Sequence, residues 1–236
     1  MKSRKKHTRY LVGVSMFSAM AYGVAVACMP LKVSFLSFDV KDALIALASF
    51  IYGPLSAILM AGVVSLLEFL TISSTGAYGL IMNFASSATF SVCASLVYRY
   101  KRTAKGALVG LSASVLMTTA VMMLLNIFVT PGYMGVPRSA VLELIPTLLL
   151  PFNLAKALLN SALVMYLYKP VSVALRRSKL DVREAFQDAG TERSAAADAA
   201  ALQKSRRATT RKVSAVATVI LIVALAVLIT LAYLNK

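Results

Sequence analysis

The sequence predicts an all-α, polytopic membrane protein: a six-helix bundle followed by one additional C-terminal transmembrane helix. Of the 236 residues, 59% are hydrophobic and 14% charged, against about 45–50% and about 25% in a soluble domain. The apolar residues fall in long runs, several of them near the roughly 20 residues that span a bilayer. Short basic blocks separate the runs, and segments 1–9, 99–105 and 169–212 hold 20 of the 25 Lys and Arg. With a cytoplasmic N-terminus these three segments all lie inside, as the positive-inside rule requires. The net charge of +16 is thereby accounted for without a nucleic-acid partner; the partner it implies is the lipid bilayer.

In chain order, residues 1–9 form a basic cytoplasmic N-terminus. The run 10–29 is too long for a signal-peptide core and reads as a retained first helix. Its Ala21 and Ala25, four apart, make a small-xxx-small packing pattern. Residues 30–42 read as a polar loop containing Lys32, Phe38, Asp39, Lys41 and Asp42. A short second helix, about 43–52, ends at the turn signal Gly53-Pro54. The third helix, 55–72, repeats the small-residue pattern at Ala57 and Ala61 and carries Glu68 near its far end. Turn formers at 73–76 lead to a fourth helix at 78–98, and a fifth spans 107–129. A Pro/Gly-containing loop over 130–143 holds Tyr133 and Arg138, and the sixth helix covers 145–168. Residues 170–212 are a charged, Ala-rich cytoplasmic linker. The apolar run 213–234, 22 residues long and without a charge, makes a helix of about 33 Å, enough to span. Seven spans place the C-terminus outside the cell membrane. Cys28 and Cys93 lie in apolar runs without a metal-ligand spacing and read as packing residues.

The sixth helix contains the least expected chemistry. Asn153, Lys156 and Asn160 are three and four apart, so they share one helix face. A lysine within such a helix costs roughly 2.5–3.5 kcal/mol on insertion and marks a functional site by default. Pro151 stands one turn earlier and donates no backbone hydrogen bond. Gly79, Asn83 and Ser87 share a face of the fourth helix, as do Ser112, Thr119 and Asn126 of the fifth. One pocket lined by amides and a single cation is the common cause expected for Asn83, Asn126, Asn153 and Lys156. Ser87, Ser112 and Asn160 are expected to be interhelical hydrogen-bonding residues instead.

The sequence lacks a phosphate-binding Walker run, an HExxH motif and a His cluster; its one histidine, His7, sits in the basic N-terminus. Glu68 is the acidic residue expected within an apolar span, so no carboxylate relay for a proton pump is foreseen. No nucleophile has a visible base, which argues against an enzyme. No metal or cofactor is called for.

Four stretches carry a family resemblance: SFDVKDALIALASFIYGPLSA at 37–57, STGAYGLIMNF at 74–84, NIFVTPGYMGVPR at 126–138 and PFNLAK at 151–156. Together, in this order, they make the chain from about 9 to 169 resemble the riboflavin-specific S component of energy-coupling factor (ECF) transporters. The resemblance implies a six-helix membrane domain over 10–169 that binds riboflavin from outside. It also implies coupling to a transmembrane scaffold subunit and two ABC-type ATPases. Asn153 and Lys156 would hydrogen-bond the ligand. Asn83, Gly79 and Thr75 would line the fourth-helix side, and Asn126 and Tyr133 the fifth-helix side. The 30–42 loop, with Phe38 and Asp39, would close over the guest. Ala21, Ala25, Ala57 and Ala61 resemble the small-residue surfaces that dock on the scaffold. The linker and seventh helix depart from the family pattern, which ends near residue 169. A carrier for another vitamin or heterocycle, or a stand-alone channel or membrane enzyme, are the alternatives.

Overall fold

The computed structural model describes residues 2–30, 32–33, 36–100 and 102–177. The expected linker beyond residue 177 and the seventh helix lie outside the described residues. Within them the chain forms α1 (Lys2–Ala27), a ribbon of β1 (Lys32–Val33) and β2 (Leu36–Ser37), α2 (Lys41–Tyr52), α3 (Pro54–Thr71), α4 (Gly76–Tyr100) and α5 (Ala104–Met134). Then follow α6 (Arg138–Leu144), one π-helical turn (Ile145–Leu149) and α7 (Leu150–Arg177). Among the described residues, five helical stretches are long and apolar enough to cross a membrane: Tyr10–Ala27, Pro54–Thr71, Gly76–Tyr100, Ala104–Met134 and Arg138–Tyr168. Large apolar side chains such as Leu55, Leu116, Leu124 and Phe128 point outward, as a lipid-facing surface requires. The protein is therefore multi-pass, with α2 as the sixth helix of the bundle.

Local chemistry explains most boundaries. At the α2–α3 corner Gly53 takes φ 94°, a region glycine enters freely, and Pro54 opens α3 at a position where its missing N–H costs nothing. Thr103 caps α5 by accepting from the Gly106 N–H at 3.1 Å, and Gly135 closes it in the left-handed conformation.

Four expectations about these elements are corrected. The 30–42 loop contains an antiparallel ribbon, with Lys32 opposite Ser37 and Val33 opposite Leu36. Helix α5 continues through Pro131 to Met134, so residues 130–134 are not loop. A proline in the last turn removes only one ladder bond, and the Gly135 cap restores the end. Helix α6 then begins at Arg138, and the chain stays helical into α7 through the π turn. Pro146 lies within that turn and Pro151 just beyond it, where missing N–H groups break the regular ladder. At the other end α7 runs to Arg177, beyond the expected boundary at residue 169.

Three apolar clusters hold the bundle. Val14, Phe17 and Ala21 of α1 meet Ile45, Ala48 and Tyr52 of α2 and Met60 and Val64 of α3. Leu47 of α2 packs with Phe90 of α4, Leu111 and Val115 of α5 and Val164 of α7. Phe38, Phe152, Ala155 and Leu159 form a smaller group beneath the ribbon. Helix α2 touches α1, α3, α4 and α7 and is buried at nearly every position. Its 12 residues measure only about 18 Å, so its N-terminus starts deep in the bundle rather than at its end.

The proposed docking alanines are also corrected. Ala21 (0% exposed), Ala25 (4%), Ala57 (0%) and Ala61 (0%) are all buried within the protein. Small residues let α1 and α3 approach closely, and that internal packing consumes the face a partner would need.

A buried cavity and the charge network beneath it

The deep start of α2 buries two charges that the sequence reading assigned to a loop. Lys41 is 1% exposed and Asp42 3%. Val40 precedes the helix without a capping side chain, so its first-turn N–H groups need other acceptors. Asn160 of α7 supplies one: its Oδ1 accepts from the Ala43 N–H at 2.8 Å. Its Nδ2 donates to the Asp39 carbonyl at 3.2 Å and the Lys156 carbonyl at 3.0 Å. The bonds to the Ala43 N–H and the Asp39 carbonyl clamp the start of α2 against α7, while the bond to the Lys156 carbonyl stays within α7; the clamp is the interhelical role expected of Asn160.

Around this clamp lie three carboxylates and two ammonium groups. Lys156 Nζ donates to Asp39 Oδ2 at 2.9 Å. Lys41 Nζ reaches both oxygens of Glu68 at 2.6 Å and stands 3.7 Å from Asp39 Oδ2. Ser87 donates to Asp42 Oδ1, with Ser86 near Oδ2. Lys156 is thus accompanied in the interior by a second ammonium, Lys41, each with a carboxylate partner, and Asp39 and Asp42 join Glu68 as acidic groups inside the bundle. Burial by itself would raise the Asp39 carboxyl, but the neighbouring Lys156 and Lys41 ammoniums outweigh it and hold it below the ordinary range. Pairing offsets the insertion cost that an isolated lysine would carry.

Above the network is a cavity of about 100 Å³ lined by the ribbon, α4, α5 and α7. Seven of the nine expected ligand residues line it: Thr75, Gly79, Asn83, Asn126, Tyr133, Asn153 and Lys156. A Cβ on Gly79 would meet Thr75 Oγ1 at 2.0 Å, so glycine there makes room for that hydroxyl. Tyr133 faces Tyr78 across the rim with ring centroids 6.4 Å apart. Asn126 donates to the Met122 carbonyl at 2.7 Å and accepts from Thr130 at 2.8 Å. Asn153 donates to the Leu149 carbonyl at 2.8 Å, and Asn83 to Glu68 Oε2 at 2.9 Å.

Phe38 and Asp39 are placed elsewhere. Neither lines this cavity; the ribbon contributes Leu36 and Ser37 instead. Phe38 packs edge-on against Phe152, centroids 6.0 Å apart, and Asp39 is spent on Lys156. Both border a smaller neighbouring cavity of about 50 Å³ that also touches Glu68, Thr75 and Asn83. Sequence reasoning missed Met82 and Ser86, although their spacing puts them on the Gly79/Asn83 face. It missed Thr130 because the helix was ended one residue before it.

The chain matches the family model for the substrate-specific component of ECF transporters over residues 9–168. It is 29% identical over 184 residues to the riboflavin transporter RibU of Staphylococcus aureus, covering 75% of this chain and 97% of that protein. It is 26% identical over 159 residues to the riboflavin transporter FmnP of Bacillus subtilis, covering 63% and 84%. A solved S component of a bacterial ECF transporter superposes with a TM-score of 0.62 at 29% identity, covering 72% of this chain and 99% of that one. The chain is a transport protein and not an enzyme. With the family model matched across the whole described bundle, it belongs to the substrate-specific (S) components of ECF transporters.

Proposed function

We propose that this S component captures riboflavin from the outer side of a cell membrane. It then delivers the vitamin through an energising complex of a transmembrane scaffold and two ABC-type ATPases. The observation that carries the reading is the convergence of Asn83, Asn126, Asn153 and Lys156 on one cavity. Two relatives named as riboflavin transporters, at 29% and 26% identity, direct it to this vitamin. The pairing of Lys156 with Asp39 strengthens the fit to an uncharged guest, because the cavity wall carries no unbalanced ammonium. Amides and a hydrogen-bonding ammonium read the polar edge of such a molecule, while Tyr78, Tyr133, Met82 and Phe152 supply apolar and aromatic surface.

The cavity of about 100 Å³ is smaller than the roughly 300–1,000 Å³ of most small-molecule sites. A tricyclic guest therefore requires one wall to give. The β1–β2 ribbon, with two residues per strand, is the wall element with the fewest backbone bonds and is the proposed lid. The basic bias of the sequence puts the N-terminus in the cytoplasm, so the cavity at the far end of α1 opens outward. For the scaffold, we assign the exposed face of α1 carrying Ser15, Ala19, Gly23 and Ala27, since small residues permit close helix approach.

Purification from membranes and titration with riboflavin tests the reading. Flavin that copurifies, or saturable quenching of riboflavin fluorescence, is the expected result. A folded chain that ignores riboflavin but binds another heterocycle would redirect the specificity and leave the family intact.

A further inference from the structure

Asn83 stands where the two cavities meet, and its orientation is set by a partner that only accepts. Its Nδ2 donates to Glu68 Oε2 at 2.9 Å, and both oxygens of Glu68 accept from the Lys41 ammonium at 2.6 Å. An asparagine can usually turn its amide over to suit its surroundings, but a carboxylate engaged in this way offers no hydrogen. The NH₂ end must face Glu68, and the carbonyl Oδ1 must face away. That Oδ1 has no protein partner among the described residues and is not among the sealed, unsatisfied buried atoms. Glu68 itself borders the smaller cavity and not the larger one; its direct link to a guest in the larger cavity is through Asn83, the other route running by way of Lys41, Asp39 and Lys156.

We propose that Glu68, held by Lys41, is a specificity-determining positioning residue. By taking the Asn83 N–H it turns the Asn83 carbonyl toward the cavity, and the site thereby selects guests that present a hydrogen-bond donor there. Replacing the carboxylate with an amide removes this constraint, because a glutamine can donate as well as accept and Asn83 is free to present either end. The inference rests on the riboflavin reading, whose donors are the ring imide N–H and the ribityl hydroxyls.

The test is a double-mutant cycle on the purified full chain. Riboflavin, N3-methylriboflavin and lumiflavin, which lacks the ribityl hydroxyls, are titrated into wild type, Asn83→Ala, Glu68→Gln and the double variant. Wild type should discriminate against at least one of the two donor-deficient analogues by about tenfold, the scale of one well-made hydrogen bond. Asn83→Ala and Glu68→Gln should each reduce that discrimination to within about twofold, and Glu68→Gln should add nothing in the Asn83→Ala background. Equal weakening toward all three ligands, an undiminished effect of Glu68→Gln without Asn83, or no wild-type discrimination would overturn the proposal. Should Glu68→Gln fail to fold with Lys41 left unpaired, Lys41→Met/Glu68→Gln removes both charges and must give the same pattern. A folded wild type that binds none of the three refutes the riboflavin reading itself, and this inference with it.

Discussion

Lys156 Nζ and Asp39 Oδ2 sit 2.9 Å apart in the interior, joining α7 to the segment that leads into α2. The ion pair lies directly under the cavity, and Lys156 belongs to both. Removing one member leaves the other charge buried without its main partner, which typically costs about 3–5 kcal/mol. Asp39→Ala should therefore lower the melting temperature in detergent markedly and weaken riboflavin binding. Asp39→Asn/Lys156→Gln should recover most of the stability without recovering affinity. If Asp39→Ala melts like wild type, the pair contributes nothing to the fold.

Lys156→Ala and Asn153→Ala test the cavity more directly. Each should insert into membranes normally and bind riboflavin about tenfold or more weakly, the scale of a lost charged or neutral hydrogen bond; Lys156→Ala should also melt lower, since it leaves Asp39 without its main partner. Fluorescence titration measures this, and unchanged affinity in both variants would remove the two residues from the site.

Asn160→Leu removes the acceptor of the Ala43 N–H and both bonds to the Asp39 and Lys156 carbonyls. The unmet buried groups should cost about 1–3 kcal/mol, read as a lower melting temperature. Hydrogen exchange at the start of α2 should rise first, because that is where the clamp acts. Uniform exchange across the helix would count against the clamp.

Two substitutions only two residues apart on α1, and so on nearly opposite faces, separate internal packing from docking. At Gly23 the space for a side chain is open, whereas Ala21 is fully buried against α2 and α3. Gly23→Leu should fold and bind riboflavin normally but fail in ATP-driven uptake with the energising subunits. Ala21→Leu should destabilise the isolated chain, since overpacking typically costs about 1–3 kcal/mol. Normal uptake by Gly23→Leu would move the docking face off this stripe.

Deleting residues 179–236 should leave riboflavin affinity unchanged, because the cavity-lining residues among the described ones all lie between Leu36 and Lys156. Loss of binding in a chain that still inserts would show that the tail takes part in the site.

Hydropathy and charge placement were enough to establish a helical membrane protein, and helical spacing marked Asn83, Asn126, Asn153 and Lys156 as polar positions on their own helices, which the structure brings to one cavity. These properties are local: burying a polar side chain costs free energy in any fold, so an amide or ammonium in an apolar helix announces itself. What each group bonds to was decided only by the tertiary structure. Lys41 and Asp42 look like loop residues until the short α2 is seen to start well inside the bundle, where they meet Glu68, Ser86 and Ser87. The Ala21/Ala25 and Ala57/Ala61 patterns are the same whether the second helix comes from a partner or from this chain, and only assembly reveals that all four are buried, with Ala21 and Ala57 in the core shared by α1, α2 and α3. The pairing of charges depends on helices brought together from positions more than a hundred residues apart, as with Asp39 and Lys156, and no spacing rule along a chain encodes that distance.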